Sequence, residues 1–117
     1  MNNILKKFLK HFGLPKDSCR ISDKKPHCRY AAFYDSGMIY INDNSIETFL
    51  HELSHHINSW RDGFSGAHSK NFFKCCVEST DWYNQEYKKN IDYAAVMDTG
   101  TKNKAELKRM IDVLCAN

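Results

Sequence analysis

The spacing of hydrophobic residues along the chain predicts helices in four places. Between residues 45 and 60, apolar side chains recur at intervals of three and four, as on one face of a helix. They are Ile46, Phe49, Leu50, Leu53, Ile57 and Trp60. Similar spacing predicts an N-terminal helix over 3–12 and a C-terminal helix over 101–115. A further helix over 68–80 follows the glycine-containing turn at 61–66.

Two short segments before the 45–60 helix have the composition of strands. Residues 28–35 and 38–42 are rich in aromatic and β-branched side chains, and Asp35-Ser36-Gly37 between them is a hairpin signal. Residues 19–23 give a third, shorter strand. The pattern therefore predicts the α+β class, with a small antiparallel sheet that leads into the 45–60 helix.

The start of the 45–60 helix has its own signal. Asp43-Asn44-Ser45 contains residue types that commonly precede a helix, because their side-chain oxygens accept hydrogen bonds from the first backbone amides. Asn44, with Glu47 three residues later, resembles a capping box. Asn44 is therefore the predicted N-cap.

The five residues His51-Glu52-Leu53-Ser54-His55 carry the most specific chemistry in the chain. Residues four apart on a helix lie on the same face, so His51 and His55 can bind one Zn²⁺ ion. Glu52 can then act on a zinc-bound water. The apolar stripe centres roughly opposite the two histidines, and residues 46–60 contain no lysine. This arrangement predicts a helix whose histidines face another part of the fold rather than solvent.

A catalytic zinc ion usually has three protein ligands, so a third is expected downstream. The candidates are His56, Asp62, His68, Cys75, Cys76 and Glu78. His56 lies about 100° around the helix from His55, which favours a capping or partly buried imidazole. His68 precedes the second helix and can face back to the first, which makes it the preferred third ligand. Glu78, from the second helix, remains the alternative.

The two motifs together resemble those of the SprT-like and related small cytosolic zinc metallopeptidases. The second motif is Gly66-Ala67-His68-Ser69-Lys70-Asn71-Phe72, with a His four residues before a Phe. The resemblance covers about residues 28–80 and implies a zincin fold. It implies that His51, His55 and His68 bind zinc and that Glu52 is the catalytic acid/base. It also implies that a substrate backbone pairs with an edge strand near the metal.

Composition is consistent with one domain over residues 1–117. The chain is 42% hydrophobic without a long apolar run, so no membrane-spanning segment is expected. The five cysteines are odd in number and form no CxxC pair, which favours buried thiols in a reducing cytoplasm over disulfides or a zinc ribbon. The net charge of +3 comes with scattered lysines, so a nucleic-acid partner is only a secondary expectation.

The expected function is that of a zinc-dependent endopeptidase that acts on protein substrates in the cytoplasm, with Glu52 transferring the proton of the attacking water. The donor that stabilises the oxyanion is left open among Tyr83, Tyr87, Tyr93, His56 and Arg61. Asp43, Asp62 and Glu78 are available to orient the ligands. A DNA-associated role would follow from the SprT-like resemblance. The alternative is a zincin-fold interaction module that binds zinc but turns over little, because 117 residues leave little chain for an extended cleft.

Overall fold

The computed structural model of the chain describes residues 1–22, 32–42, 45–63, 68–97, 109 and 112–113. Its elements are α1 (Asn2–His11), β1 (Arg20–Ile21), β2 (Ala32–Asp35), β3 (Met38–Ile41), α2 (Ile46–Asp62), α3 (Lys70–Tyr87) and α4 (Tyr93–Met97). These elements confirm the α+β class and the helices predicted near 3–12, 45–60 and 68–80, although α3 extends seven residues beyond 80. Most of the helix predicted over 101–115 lies outside the described residues. Of that segment, the structure describes only positions 109, 112 and 113, and all three are helical.

The three strands form one sheet in the order β1-β3-β2. β2 and β3 are the predicted antiparallel hairpin, and Ser36 and Gly37 at their turn have φ angles of 49° and 88°. Two positive φ angles are typical of the tight turns that match the twist of a hairpin. β1 pairs with β3 in parallel, so the prediction of an all-antiparallel sheet is wrong. Residues 22–31 separate β1 from β2, which is too long for a tight hairpin, and β1 lies instead beside the following strand.

Helix α2 begins one residue later than the capping-box pattern indicates. Its N-cap is Ser45, whose Oγ accepts a hydrogen bond from the backbone N–H of Thr48 at 3.2 Å. The same hydroxyl donates to Glu47 Oε2 at 2.8 Å, so Glu47 supports the cap from within the first turn. The prediction of Asn44 as the N-cap is therefore wrong. The helix ends at Gly63, whose φ of 78° is the left-handed conformation that glycine adopts without strain.

Helix α2 is the central element of the described fold, because it contacts β2, β3, α3 and α4. Phe49, Leu50, Leu53 and Ile57 are buried as the apolar stripe predicts. Polar side chains on other faces of α2 are buried too, since neighbours cover the helix on several sides; they are Glu52, Ser54, His55, His56 and Asn58. Trp60, predicted to belong to the buried stripe, is 55% exposed near the end of the helix.

Helix α1 packs into the same core, as its amphipathic pattern predicts. Leu5, Phe8 and Leu9 are buried, and the Phe8 ring meets the edge of the Trp82 ring of α3 at a centroid distance of 5.4 Å. In the part of the chain that the structure describes, every helix is too short or too polar to cross a membrane. The Phe8–Trp82 contact shows that the apolar face of α1 packs against α3.

Candidate metal centre

Three histidines from two elements converge on one point. His51 and His55 lie one turn apart on α2, and His68 lies immediately before Ser69, the N-cap of α3. Ser69 Oγ accepts a hydrogen bond from the backbone N–H of Phe72 at 3.2 Å, which fixes the point where the chain turns into α3. The candidate ligand atoms of the three imidazoles all lie within 4.8 Å of one another. The structure thus brings together the three histidines named from the sequence, close enough to hold a metal ion.

The apolar ring of Phe72 packs against all three imidazoles. Its ring is fully buried and stacks on His55 and His68 at centroid distances of 4.1 and 4.8 Å. It meets the edge of the His51 ring at 5.0 Å. One aromatic ring therefore contacts all three imidazoles, which gives the His–x3–Phe pattern a structural role. An apolar wall of this kind limits access of water and lowers the local dielectric constant at a metal site.

The orientation of His51 is set by helix α4. Its Nδ1 lies 2.8 Å from the backbone carbonyl oxygen of Val96. A carbonyl can only accept, so Nδ1 carries the proton, and Nε2 presents its lone pair. Such a hydrogen bond on the far nitrogen is how proteins commonly orient a metal-binding imidazole. The sequence-based candidates for this role were carboxylates, and a backbone carbonyl has no signature in the sequence by which it could have been found.

The donor set and its exposure fit a zinc ion. Three imidazole nitrogens are a common ligand set for catalytic zinc, with bonds of about 2.0–2.1 Å. Around a tetrahedral ion, two nitrogens at this bond length lie about 3.4 Å apart, so the widest separation in the cluster, 4.8 Å, would shorten by up to about 1.4 Å. His51 is half-buried and His55 is buried, whereas His68 is exposed. His68 is consequently the ligand best placed to move and the side from which an ion can enter.

Glu52 combines burial with an unusual protonation equilibrium. It follows His51 on α2 and is only 4% exposed, and its Oε2 has no hydrogen-bond partner among the described residues. Burial raises the pKa of this carboxyl from 4.5 to about 7. A carboxyl group with a pKa near neutrality can both accept and return a proton at physiological pH, which is the property required of a general acid/base.

The same burial predicts a pH-dependent gain in stability when Glu52 is replaced by Gln in metal-free protein. Above pH 7 the folded wild type contains a buried carboxylate, which costs on the order of 3 kcal/mol relative to the unfolded chain. Glu52→Gln should therefore stabilise by about that amount at pH 8. The gain should disappear below pH 4.5, where the carboxyl is protonated in both states. Urea unfolding in the presence of a chelator measures both values.

Glu86→Gln is the matched control for this experiment. Glu86 lies on α3, is 43% exposed and pairs with Lys7 at 3.7 Å. An exposed pair of this kind contributes little to stability, so the control should show no comparable pH-dependent difference. Equal stability of wild type and Glu52→Gln at pH 8 would show that burial does not penalise the Glu52 carboxylate.

Glu78, the alternative third ligand, is engaged elsewhere. Its carboxylate pairs with the guanidinium group of Arg61 through two hydrogen bonds of 2.5 and 3.3 Å. The metal-binding cluster among the described residues contains His68 and not Glu78. The ion pair instead joins the end of α2 to the middle of α3.

The candidate oxyanion donors also have other partners. Arg61 is paired with Glu78, and the Tyr93 hydroxyl donates to Asp81. The rings of Tyr83 and Tyr87 stack on each other at 4.7 Å, a contact that leaves their hydroxyl groups as candidates. The sequence favours plain sheet packing for Tyr34 of β2, but its ring lies nearly parallel to that of His55 at a centroid distance of 6.4 Å. The alternation of side chains in β2 could have indicated that Tyr34 faces α2, but not that it meets a histidine.

His56 is a buried structural imidazole, as its position on the helix predicts. It is 2% exposed, with Nε2 at 3.0 Å from Ser18 Oγ and Nδ1 at 2.8 Å from the Tyr34 hydroxyl. Burial lowers the pKa of His56 from 6.5 to about 4. The ring is therefore neutral at pH 7, with one nitrogen donating and the other accepting. His56 joins the segment before β1 to β2 and is not part of the histidine cluster.

Comparisons with known proteins give no further information on identity. No family model, no curated protein and no solved structure matches this chain. The similarity to SprT-like metallopeptidases therefore depends on the two motifs at 51–55 and 66–72. The function has to be argued from the histidine cluster and its surroundings.

Proposed function

We propose that this protein is a zinc-dependent peptidase that hydrolyses peptide bonds in protein substrates. The observation that carries the proposal is the convergence of His51, His55 and His68, whose candidate ligand atoms lie within 4.8 Å of one another. The buried Glu52 lies on α2, the helix that carries His51 and His55. Two histidines at this spacing with an adjacent Glu are the arrangement that zinc peptidases use.

The residues that would hold the ion are the three histidines of the cluster. Val96 orients His51 through its carbonyl oxygen, and Phe72 supports all three rings from below. When bound, zinc supplies a Lewis acid that lowers the pKa of water towards 7 and polarises a carbonyl group. The hydrogen bond to Val96 fixes His51 before the ion binds, whereas the exposed His68 would complete the site by a small movement.

Glu52 is the residue that moves the proton. Its carboxylate accepts a proton from the attacking water and later returns it to the leaving amine of the cleaved peptide. The low exposure of Glu52 supports this role, because a buried and poorly hydrated carboxylate accepts a proton more readily than a solvated one. Removal of this group should therefore leave the metal ligands in place and remove the acid/base step.

Strand β2 offers a place for the substrate backbone. It is the edge strand opposite β1 in the described sheet, and it contacts α2, which carries two of the histidines. An extended peptide can add to such an edge through main-chain hydrogen bonds, independent of most of its sequence. A peptide aligned on β2 would run beside Tyr34, whose ring lies 6.4 Å from that of His55.

The cytoplasm is the location that we propose for this activity. Cys19, Cys75 and Cys76 are free, buried thiols in the structure. Adjacent free thiols on α3 are typical of proteins kept in a reducing compartment, where disulfides are rare.

The direct test is cleavage of an unfolded protein by preparations that contain one zinc ion per chain. Reduced and alkylated lactalbumin is a suitable substrate, and fragments are detected by mass spectrometry. Cleavage should stop when a chelator removes the ion and return when zinc is added back. A zinc-loaded preparation that leaves the substrate intact would contradict the proposal. A rise in the cleavage rate with single-stranded DNA that falls with added salt would support the DNA-associated form.

A further inference from the structure

A pocket separate from the histidine cluster lies beside another face of α2. It has a volume of about 390 Å³ and opens between the segment before β1, the β2–β3 turn and the end of α2. Its walls come from Ser18, Tyr34, Ser36, His56, Ser59 and Trp60. A volume in this range is typical of pockets that bind small ligands or single side chains. None of these residues belongs to the histidine cluster.

The walls of this pocket are held together by specific contacts. His56 bonds Ser18 with one nitrogen and Tyr34 with the other, which joins two sides of the pocket through a buried ring. Gly37, at the turn, lies so close to the segment before β1 that a Cβ atom there would be 2.6 Å from the Ser18 carbonyl oxygen. The Gly37 carbonyl oxygen accepts from the backbone N–H of Arg20 at 2.8 Å. The pocket is therefore preformed.

The described lining of the pocket favours an uncharged ligand. Among the residues that the structure describes, the lining contains no Asp, Glu, Lys or Arg and offers hydroxyl groups and the indole of Trp60. A charged group that entered would lose water without gaining an opposite charge, which is costly. Trp60 is 55% exposed at this site, and an exposed indole offers a face or edge on which another aromatic ring packs favourably. The Ser18 hydroxyl already bonds His56 and the Ser36 hydroxyl donates to Asp35, but each oxygen keeps a lone pair that can accept a hydrogen bond from a polar group at the tip of such a ring.

The position of the pocket favours a peptide as its occupant. Tyr34 lines the pocket and also belongs to β2, the edge strand in the described sheet. Peptides that add a strand to a sheet edge gain affinity from main-chain bonds and specificity from pockets that receive their side chains. We propose that this pocket binds an aromatic side chain, with tyrosine preferred, of an extended peptide segment. The proposal does not depend on peptidase activity, because binding alone fills the pocket.

Binding of capped pentapeptides tests the proposal directly. The peptides have alanine at four positions and tyrosine, alanine or aspartate at the centre, and the indole N–H signal of Trp60 is followed by NMR. The tyrosine peptide should shift this signal saturably and bind at least about tenfold more tightly than the other two, because burial of one large side chain is worth that factor or more. The measurement is made on metal-free and zinc-loaded Glu52→Gln, which excludes cleavage, and the preference should be the same in both.

Two exposed aromatic residues provide the variant and its matched control. Trp60→Ala removes the indole wall and should weaken binding of the tyrosine peptide at least about tenfold, followed by calorimetry. Phe33→Ala removes a ring that is 36% exposed and stacked on Tyr40 of β3, and Phe33 does not line the described pocket. Because Phe33 belongs to β2, any effect of this variant should be shared by all three peptides and leave the preference for tyrosine unchanged. Equal affinity for the three peptides, or an equal loss of the tyrosine preference in the two variants, would overturn the proposal. A saturable Trp60 response to a neutral sugar such as methyl glucoside, with none to the peptides, would overturn it as well.

Discussion

Replacing Glu52 by Gln is expected to lower the rate of peptide cleavage by about a thousandfold while leaving zinc content unchanged. The substitution keeps the shape of the side chain but removes the group that accepts and returns the proton, and acid/base catalysis typically contributes factors of about 10²–10⁴. The metal should remain, because its proposed ligands are His51, His55 and His68. The measurement combines cleavage kinetics on an unfolded protein with metal analysis of the same preparation.

Glu86→Gln serves as the control for this result, because Glu86 is an exposed residue of α3 that pairs with Lys7. Glu86→Gln also removes one carboxylate, at a site outside the histidine cluster, and should leave both the cleavage rate and the zinc content at wild-type values. Full activity in Glu52→Gln would show that another group moves the proton. Loss of zinc together with activity would instead give Glu52 a role in holding the ion, and the proposed division between ligands and acid/base would be wrong.

The second large effect is expected from His68→Ala, which should weaken zinc binding by more than about a hundredfold. Loss of residues that merely orient a ligand costs about 10–100-fold in metal affinity, so loss of a ligand itself should cost at least as much. His68 is exposed, so its truncation should leave the fold intact. Competition with a chromophoric chelator measures the affinity, and circular dichroism checks the fold.

Glu78→Ala is the informative comparison, because Glu78 was the other candidate for the third ligand. The structure places its carboxylate on Arg61, at the junction of α2 and α3. Zinc affinity should therefore stay within a few-fold of wild type in this variant. If zinc affinity is instead lost in Glu78→Ala and kept in His68→Ala, the third ligand is Glu78 and not His68.

The histidine cluster could be predicted because its geometry follows from local spacing. His51 and His55 are one helical turn apart wherever the helix lies, and the apolar stripe correctly places Phe49, Leu50 and Leu53 in the core. His68 required one more inference, that the turn at 61–66 returns the chain to α2. The contact of Phe72 with all three imidazoles gives the spacing between His68 and Phe72 its physical meaning.

What could not be predicted depends on tertiary contacts. The apolar pattern assigned Trp60 to the core, but its indole is 55% exposed, although Ile57 and Asn58 just before it are buried. The pairing of β1 with β3 depends on the path between strands rather than on their composition. The bonds of His56 to Ser18 and Tyr34 join residues 38 and 22 positions away, and no local pattern indicates such partners.

The hydrogen bond from His51 to the Val96 carbonyl links helix α4 to any ion that the histidine cluster binds. Helix α4 has only five residues and packs against both α2 and α3. Because its docking fixes the tautomer and the orientation of His51, the docking of α4 and the affinity of the cluster for an ion would be coupled equally in both directions. Displacement of α4 would weaken the binding of an ion by about 10–100-fold, and a bound ion would stabilise the docked α4 by the same factor. A five-residue helix that contributes no ligand would thus regulate metal binding.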